Sequence, residues 1–381
     1  MSDNIQLFVP TYRVEETLAE IKECLEVGWT GLGFKTDAFE AEWKKFTGLP
    51  NAHFVNSATA ALHLAVELLK ENGGWSDGDE VITTPITFVS TNHAILYAGL
   101  TPVFADVDQS LNLSPASVER MIGPRTRAVM FVGMGGNPAN LDDVASVCRD
   151  RGIKLILDAA HMAGSRIGAV HVGNQADASI FSFQAVKNLP TGDSGMVCFA
   201  DKGLDAEARK RSWLGINKNT YQRTSQIGTY RWEYDVESVG YKYNGNSVMA
   251  AIGLVALRHL DHDNAFRRQV CSWYDEMFSS LEGFVRPVEH KGGTSRHLYQ
   301  IMAKDRDSLM VAMNAASVYP GVHYKDNRAY RMYSGCKSDD GCHFARSCSD
   351  GLVSLPLHLR LTHSDVVRVV ESIASFYRRM P

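Results

Sequence analysis

The 381-residue sequence predicts an α/β protein. Residues 1–255 form a large domain with a mixed, mainly parallel sheet flanked by helices, and 256–381 form a smaller α+β domain. Two patterns predict this. From about residue 52 to 158, short apolar runs alternate with helical periodicity, the spacing of parallel strands joined by crossover helices. After Phe199 the pattern stops. Residues 213–247 turn polar and aromatic, and the remainder mixes short strands with helices.

In chain order, Val14, Leu18, Ile21 and Leu25 recur at helical steps, predicting a helix over 12–27. GWTGLG (28–33) breaks it, and a second helix over 36–47 ends before Gly48 and Pro50. Phe54 and Val55 end a strand. Asn56 or Ser57 then caps a helix carrying Ala58, Leu62, Ala65 and Leu69 on one face. Small and hydroxyl residues at that start leave backbone N–H groups at the positive end of the helix, a cradle for phosphate. Val81–Thr84 and Val103–Val107 are strands around a helix over 87–98 that stops at Gly99. Ser114-Pro115 opens another helix. Ala128–Val132 is a strand, Leu141–Arg151 a helix and Ile153–Leu157 a strand. No GxGxxG follows a strand, which disfavours a dinucleotide fold. Beyond 213–247 come helices over 248–260 and 266–281, divided by DHDN (261–264). A strand over 297–302 and helices over 307–316 and 363–378 complete the chain.

Apolar residues make up 45% and charged residues 22%, the balance of a globular protein with a large core. A net charge of −4 gives no reason to expect nucleic acid or an anionic membrane as partner. No basic, then apolar leader opens the sequence, and no apolar run approaches a membrane span. Seven cysteines without a CxxC pair suit a reducing cytoplasm. Cys336, Cys342 and Cys348 with His343 match no zinc spacing, so no metal is expected.

The chemistry concentrates in residues 153–188. The run IKLIL stops at Asp158, with His161 just beyond. A second run, IFSF, carries Ser182 and is followed by Lys187. Polar residues just past buried strand ends lie at the carboxyl edge of a parallel sheet, where open α/β folds bind ligands. An acid, an imidazole, a hydroxyl and a lysine, with the helix start at 57–60, suit a ligand with a phosphate, a ring nitrogen, a ring hydroxyl and a carbonyl. The helix start and Ser182 hold the phosphate, and Asp158 keeps the ring nitrogen protonated. His161 bonds the hydroxyl, Phe88 stacks on the ring, and Lys187 forms a Schiff base with the carbonyl. Pyridoxal 5'-phosphate is such a ligand. Taken singly, each residue has a plainer reading: a helix cap for Asp158, core packing for Phe88, a solvated charge for Lys187.

Nearly end to end, the sequence resembles the DegT/DnrJ/EryC1/StrS sugar aminotransferases, which have the fold type I (aspartate aminotransferase) architecture. GWTGLG, NSATAALH, GDEVITTPITFVST, PVFADVD, DAAHMAG, FSFQAVKN, GYKYN, HLYQI, VHY and LPL follow the family's order. The resemblance implies that Lys187 bonds the cofactor, Asp158 faces its ring nitrogen, His161 its ring hydroxyl and Phe88 its face. Ala58, Thr59 and Ser182 match the phosphate binders. Lys242 or Asn244 of GYKYN reaches the phosphate of a neighbouring subunit, implying a homodimer with shared sites. The implied activity is transfer of an amino group from glutamate to a keto-sugar, nucleotide-linked, in amino-sugar biosynthesis, with the cofactor cycling through pyridoxamine phosphate. Tyr221, Arg223 and His323 are candidates to touch that substrate. A dehydratase of the same family has histidine at the lysine position, which Lys187 argues against. A cofactor-binding protein without turnover is the other alternative. The sequence departs from the family's pattern at TGDSG (191–195), at Gly245-Asn246 and in the cysteine-bearing 326–348 region, all three expected near the substrate mouth.

Overall fold

The computed structural model describes residues 4–217, 234–279 and 283–379. Its main sheet has seven strands. They are β1 (His53–Val55), β2 (Glu80–Thr83), β3 (Thr101–Phe104), β4 (Thr126–Val132), β5 (Lys154–Asp158), β8 (Ala178–Ser182) and β9 (Gly195–Phe199), in the order β1-β9-β8-β5-β4-β2-β3. A two-stranded ribbon, β6 (Arg166–Ile167) and β7 (Val170–His171), lies between β5 and β8 in sequence. Only β9 opposes its neighbours; every other pairing in the main sheet is parallel. Asp158, Ser182, Val55 and the start of β9 therefore share one sheet edge.

Helices cover both faces. One core packs Phe39 and Trp43 of α2 (Phe34–Thr47) and Val144 of α6 (Leu141–Arg151) against Phe131, Leu157 and Phe181. The other packs α3 (Ala58–Gly73) and α4 (Val89–Tyr97) against Val81, Met130 and Ile180. Strands buried on both faces explain why each reads as a continuous apolar run rather than an alternating one. Among the described residues, the remaining α-helices of this part are α1 (Val14–Val27), α5 (Pro115–Met121) and α7 (Lys202–Arg211).

One expectation fails. DHDN does not divide two helices: α8 runs unbroken from Ser247 to Phe278. Asp and Asn disfavour helix interiors because their side chains compete for backbone groups. Here tertiary partners occupy them. Asp263 takes a two-pronged bond from Arg13, at 2.6 and 2.6 Å. Asn264 donates to the Ala163 carbonyl at 2.9 Å and accepts from Asn188 at 2.8 Å. α8 also runs through the expected 255/256 boundary. Leu254, Leu257 and Leu260 pack in the large core, whereas Val270, Tyr274 and Phe278 pack with the small sheet. That sheet is β10 (Val285–Pro287), β11 (Tyr299–Ala303) and β12 (Leu352–Leu355), antiparallel throughout. It is flanked by α9 (Arg306–Ala315), α10 (His343–Gly351) and α11 (His363–Arg378).

Removing Asn264 strands a buried amide donor on Asn188 and a buried carbonyl at Ala163. Asn264→Ala is expected to cost about 1–3 kcal/mol of stability, read as a lower midpoint in denaturant at unchanged slope.

Candidate active site

A cavity of about 410 Å³ opens at the shared sheet edge. Its walls bring together Ala58, Thr59, Phe88, Asp158, His161, Ser182, Lys187 and His323. Phe183, which follows Ser182 at the end of β8, is fully buried.

The first wall is the start of α3. Ser57 caps it by accepting the Ala60 N–H at 3.1 Å. The first N–H groups of a helix have no intrahelical acceptor, which leaves those of Ala58 and Thr59 at the cavity. Gly195 makes this approach possible. It pairs with both Ser182 and Val55, and a Cβ on it would lie 2.7 Å from the Ala58 nitrogen. Only glycine lets the helix start lie against β9 beside Ser182.

The second wall carries Asp158, 4% exposed. It accepts from Thr91 Oγ1 at 2.7 Å and from the Ala160 N–H at 3.1 Å. Thr91 in turn pairs with Thr87 at 2.8 Å. Burial raises the Asp158 carboxyl, while those two hydrogen bonds and the Lys187 charge work against the shift. Among the described residues no ion pair engages it. Lys187 is half-buried, open to the cavity that it lines. Burial brings its amine down to about 8, with Asp158 partly opposing.

His161 is held neutral: burial pushes it well below its ordinary value, and the Lys187 charge adds to this. Its Nδ1 accepts the Gly135 N–H at 3.3 Å, which leaves the proton on Nε2, 3.3 Å from the Tyr324 hydroxyl. His323 bonds Ser354 Oγ through Nδ1 at 3.0 Å and is pushed down to about 4, first by burial and then by Lys187. Phe88, 58% exposed, faces Tyr324 at 6.0 Å between ring centroids.

Other expected residues lie elsewhere. The Lys242 ammonium sits over the Trp213 ring, 3.1 Å from its centroid. Asn244 bridges to Val55, and its Oδ1 is buried without a hydrogen-bond partner among the described residues. Neither lines this chain's cavity. Tyr221 and Arg223 fall outside the described residues. The 326–348 region lines none of the cavity either. Its Tyr333 and Cys342 pack on Phe104 of β3, and Arg328 is paired with Asp326 at 2.6 Å. Asp193 of TGDSG lines the cavity, as expected of a segment near its mouth, and Thr91, Gln184 and Tyr324 line it without having been expected there. Thr91 is one helical turn from Thr87, and Tyr324 adjoins His323, the signals that could have found them.

An amine near neutrality, an enclosed carboxylate, a neutral imidazole and a helix start can bind an anionic ligand and move a proton beside it. A model of the DegT/DnrJ/EryC1/StrS aminotransferase family matches residues 11–374. The chain belongs to this family. It is an aminotransferase. It is 35% identical to the spore coat polysaccharide biosynthesis protein SpsC of Bacillus subtilis, over 94% of each chain. Among solved structures it matches the aminotransferase TlmJ of Streptoalloteichus hindustanus, with a TM-score of 0.88, 33% identity, and 98% of this chain and 99% of that one covered. It also matches Spr1654 of Streptococcus pneumoniae, known in a PLP form (TM-score 0.88) and a PMP form (0.90), at 26% identity. Those matches cover 99% of this chain and 99% and 100% of the other. Neighbours at these scores share the fold type I architecture, as the sequence predicts.

The Lys187 titration has a definite sign. Its folded value lies below the ordinary 10.5, so the stability of the neutral amine is present above 10.5 and lost as pH falls through about 8. In ligand-free protein, wild-type stability relative to Lys187→Met should fall between pH 10.5 and 8 and then level off. A difference that stays flat across that window contradicts the lowered value.

Proposed function

We propose that this aminotransferase uses pyridoxal 5'-phosphate at Lys187 to transfer an amino group from glutamate to a keto-sugar carried on a nucleotide. The observation that carries the reading is the convergence of Lys187, Asp158 and the α3 start on one cavity. The site's own chemistry fits the cofactor. Asp158 is a buried carboxylate with hydrogen bonds but no ion-pair partner among the described residues, suited to a protonated ring nitrogen. The missing Cβ of Gly195 lets the N–H groups of Ala58 and Thr59 and the Ser182 hydroxyl form one cradle for phosphate. His161 offers its Nε2 proton to a ring hydroxyl, and Phe88 covers a ring face.

When bound, the cofactor supplies a carbonyl for the lysine amine and an electron sink for the donor's α-carbon. The protein's part is positioning and proton transfer. At about 8, an appreciable share of Lys187 is neutral near physiological pH and can attack a carbonyl. With the donor in its place, the freed amine would take the proton from the donor's α-carbon and deliver it to the cofactor's former carbonyl carbon, and in the second half-reaction it would carry a proton the opposite way, onto the sugar carbon that gains the nitrogen. Asp158 stabilises positive charge across the cavity as electrons move. His323 is the candidate for contact with the sugar, with Tyr221 and Arg223 proposed beside it from sequence. The names of the relatives support a sugar acceptor: SpsC belongs to polysaccharide biosynthesis, and family resemblance gives the glutamate donor. We place the enzyme in the cytoplasm as a homodimer in which Lys242 or Asn244 of each chain completes the partner's phosphate site.

Purified protein is expected to be yellow, to bleach with borohydride, and to shift its visible band on adding glutamate. A colourless protein that takes up no pyridoxal phosphate sinks the reading; uptake without a glutamate shift indicates another donor or no turnover. Lys187→Ala should lose the borohydride-fixed cofactor. Asp158→Asn should keep that bond yet lose about 10²-fold or more in turnover, the scale of removing a group that stabilises developing charge. Gly195→Ala should retain cofactor less tightly in equilibrium dialysis, because the α3 start must move away from β9.

A further inference from the structure

A second, smaller cavity lies behind the segment that carries Lys187. Its walls include Arg13, Lys187, Asn188, Asp263, Arg267 and His358, and its volume is about 20 Å³. Val186 and Lys187 wall both cavities. Arg267, on α8, is only 7% exposed, and its Nη1 has no hydrogen-bond partner among the described residues. The nearest carboxylate, Asp263, sits one turn earlier on the same helix. It is already engaged by both Nη atoms of Arg13, at 2.6 and 2.6 Å. Asp263 is thus committed to Arg13, and among the described residues Arg267 has no ion pair of its own. Burial brings Arg267 down to about 10, with the Asp263 charge opposing, so it remains protonated at neutral pH. His358 adds no charge, since burial pushes it down to about 4.

A buried, unpaired cation is among the costliest groups a fold can hold. The cavity exceeds the roughly 10–15 Å³ that a water-sized occupant needs, and it is too small for a phosphate or a sugar. We propose that this cavity is a binding site for one small monoanion of halide size, held by Arg267 as the counter-ion that the fold lacks. The anion joins α8 to the N-terminal segment and to the back of the lysine segment. Ligation of this kind stabilises the folded state in proportion to ligand saturation. The site stands whether or not the larger cavity binds pyridoxal phosphate.

The test is thermal unfolding of the full chain during titration with sodium chloride. Ionic strength is held constant with a morpholinoethanesulfonate salt, whose anion is too large for the cavity. Wild type is expected to show a saturable rise of about 2 °C or more, and Arg267→Met none. A parallel sodium acetate titration tests the size limit: a rise with chloride alone supports the halide-sized site, and a matching rise with acetate overturns it. No saturable chloride effect, or the same effect in Arg267→Met, overturns it. A bromide soak of wild-type crystals decides independently of how the variant folds. An anomalous peak beside Arg267 Nη1 supports the site, and peaks only elsewhere overturn it.

Discussion

The site depends on how the side chain of Asn188, the residue after Lys187, is held. Its amide donates to Asn264 Oδ1 at 2.8 Å and to the Ser295 carbonyl at 2.9 Å, and it accepts from His297 Nδ1 at 3.0 Å. Asn264 continues the chain to the Ala163 carbonyl, and Ser295 Oγ donates to the His161 carbonyl at 2.8 Å. The lysine segment, the loop carrying His161, the middle of α8 and the 295–297 loop are thereby fixed to one another. Buried networks of this kind are strong only when fully satisfied, and this one is satisfied at each of those side chains. The position of Lys187 is thus set by both halves of the fold, because α8 is the element they share.

The same enclosure sets the site's electrostatics. Burial drives Lys187, Asp158, His161 and His323 each toward its neutral form. What differs is how strongly neighbours resist. Asp158 has two hydrogen bonds to its ionised form, whereas among the described residues the Lys187 ammonium is supported by the Asp158 charge without a side-chain hydrogen bond. The carboxylate is therefore the better supported charge and the amine the more easily discharged one. A nucleophile beside a stable counter-charge needs that division, and it comes from placement rather than from unusual residues.

Much of this was legible in sequence because strand ends announce themselves. An apolar run that stops at Asp158 or just past Ser182 locates the sheet edge without knowledge of the fold, and the Ser57 cap marks where the next helix starts. What could not be read is what long-range closure brings in. Tyr324 meets His161 across 163 residues of sequence, and Thr91 reaches Asp158 from a different strand–helix unit. DHDN misleads for the same reason. Asp263 and Asn264 read as breakers locally, yet their partners, Arg13 and Asn188, are far away in sequence.

The charge on the cavity walls bears on how a phosphorylated or carboxylated ligand is held. The described walls offer two carboxylates, Asp158 and Asp193, against one amine, with both histidines held neutral. Neutral donors, chiefly the α3 start and Ser182, can orient an anion but cannot balance its charge. Any further cation lies beyond these described walls. Lys242 rests on Trp213 outside the cavity, with its ammonium pushed down by burial. An ammonium whose only described contact is a ring face is not committed to a carboxylate, and that leaves it able to serve a phosphate across a subunit boundary. Among the described residues the cavity walls therefore supply the groups for proton transfer more fully than the charge to balance an anion, and this imbalance is the physical argument that favours the proposed shared site.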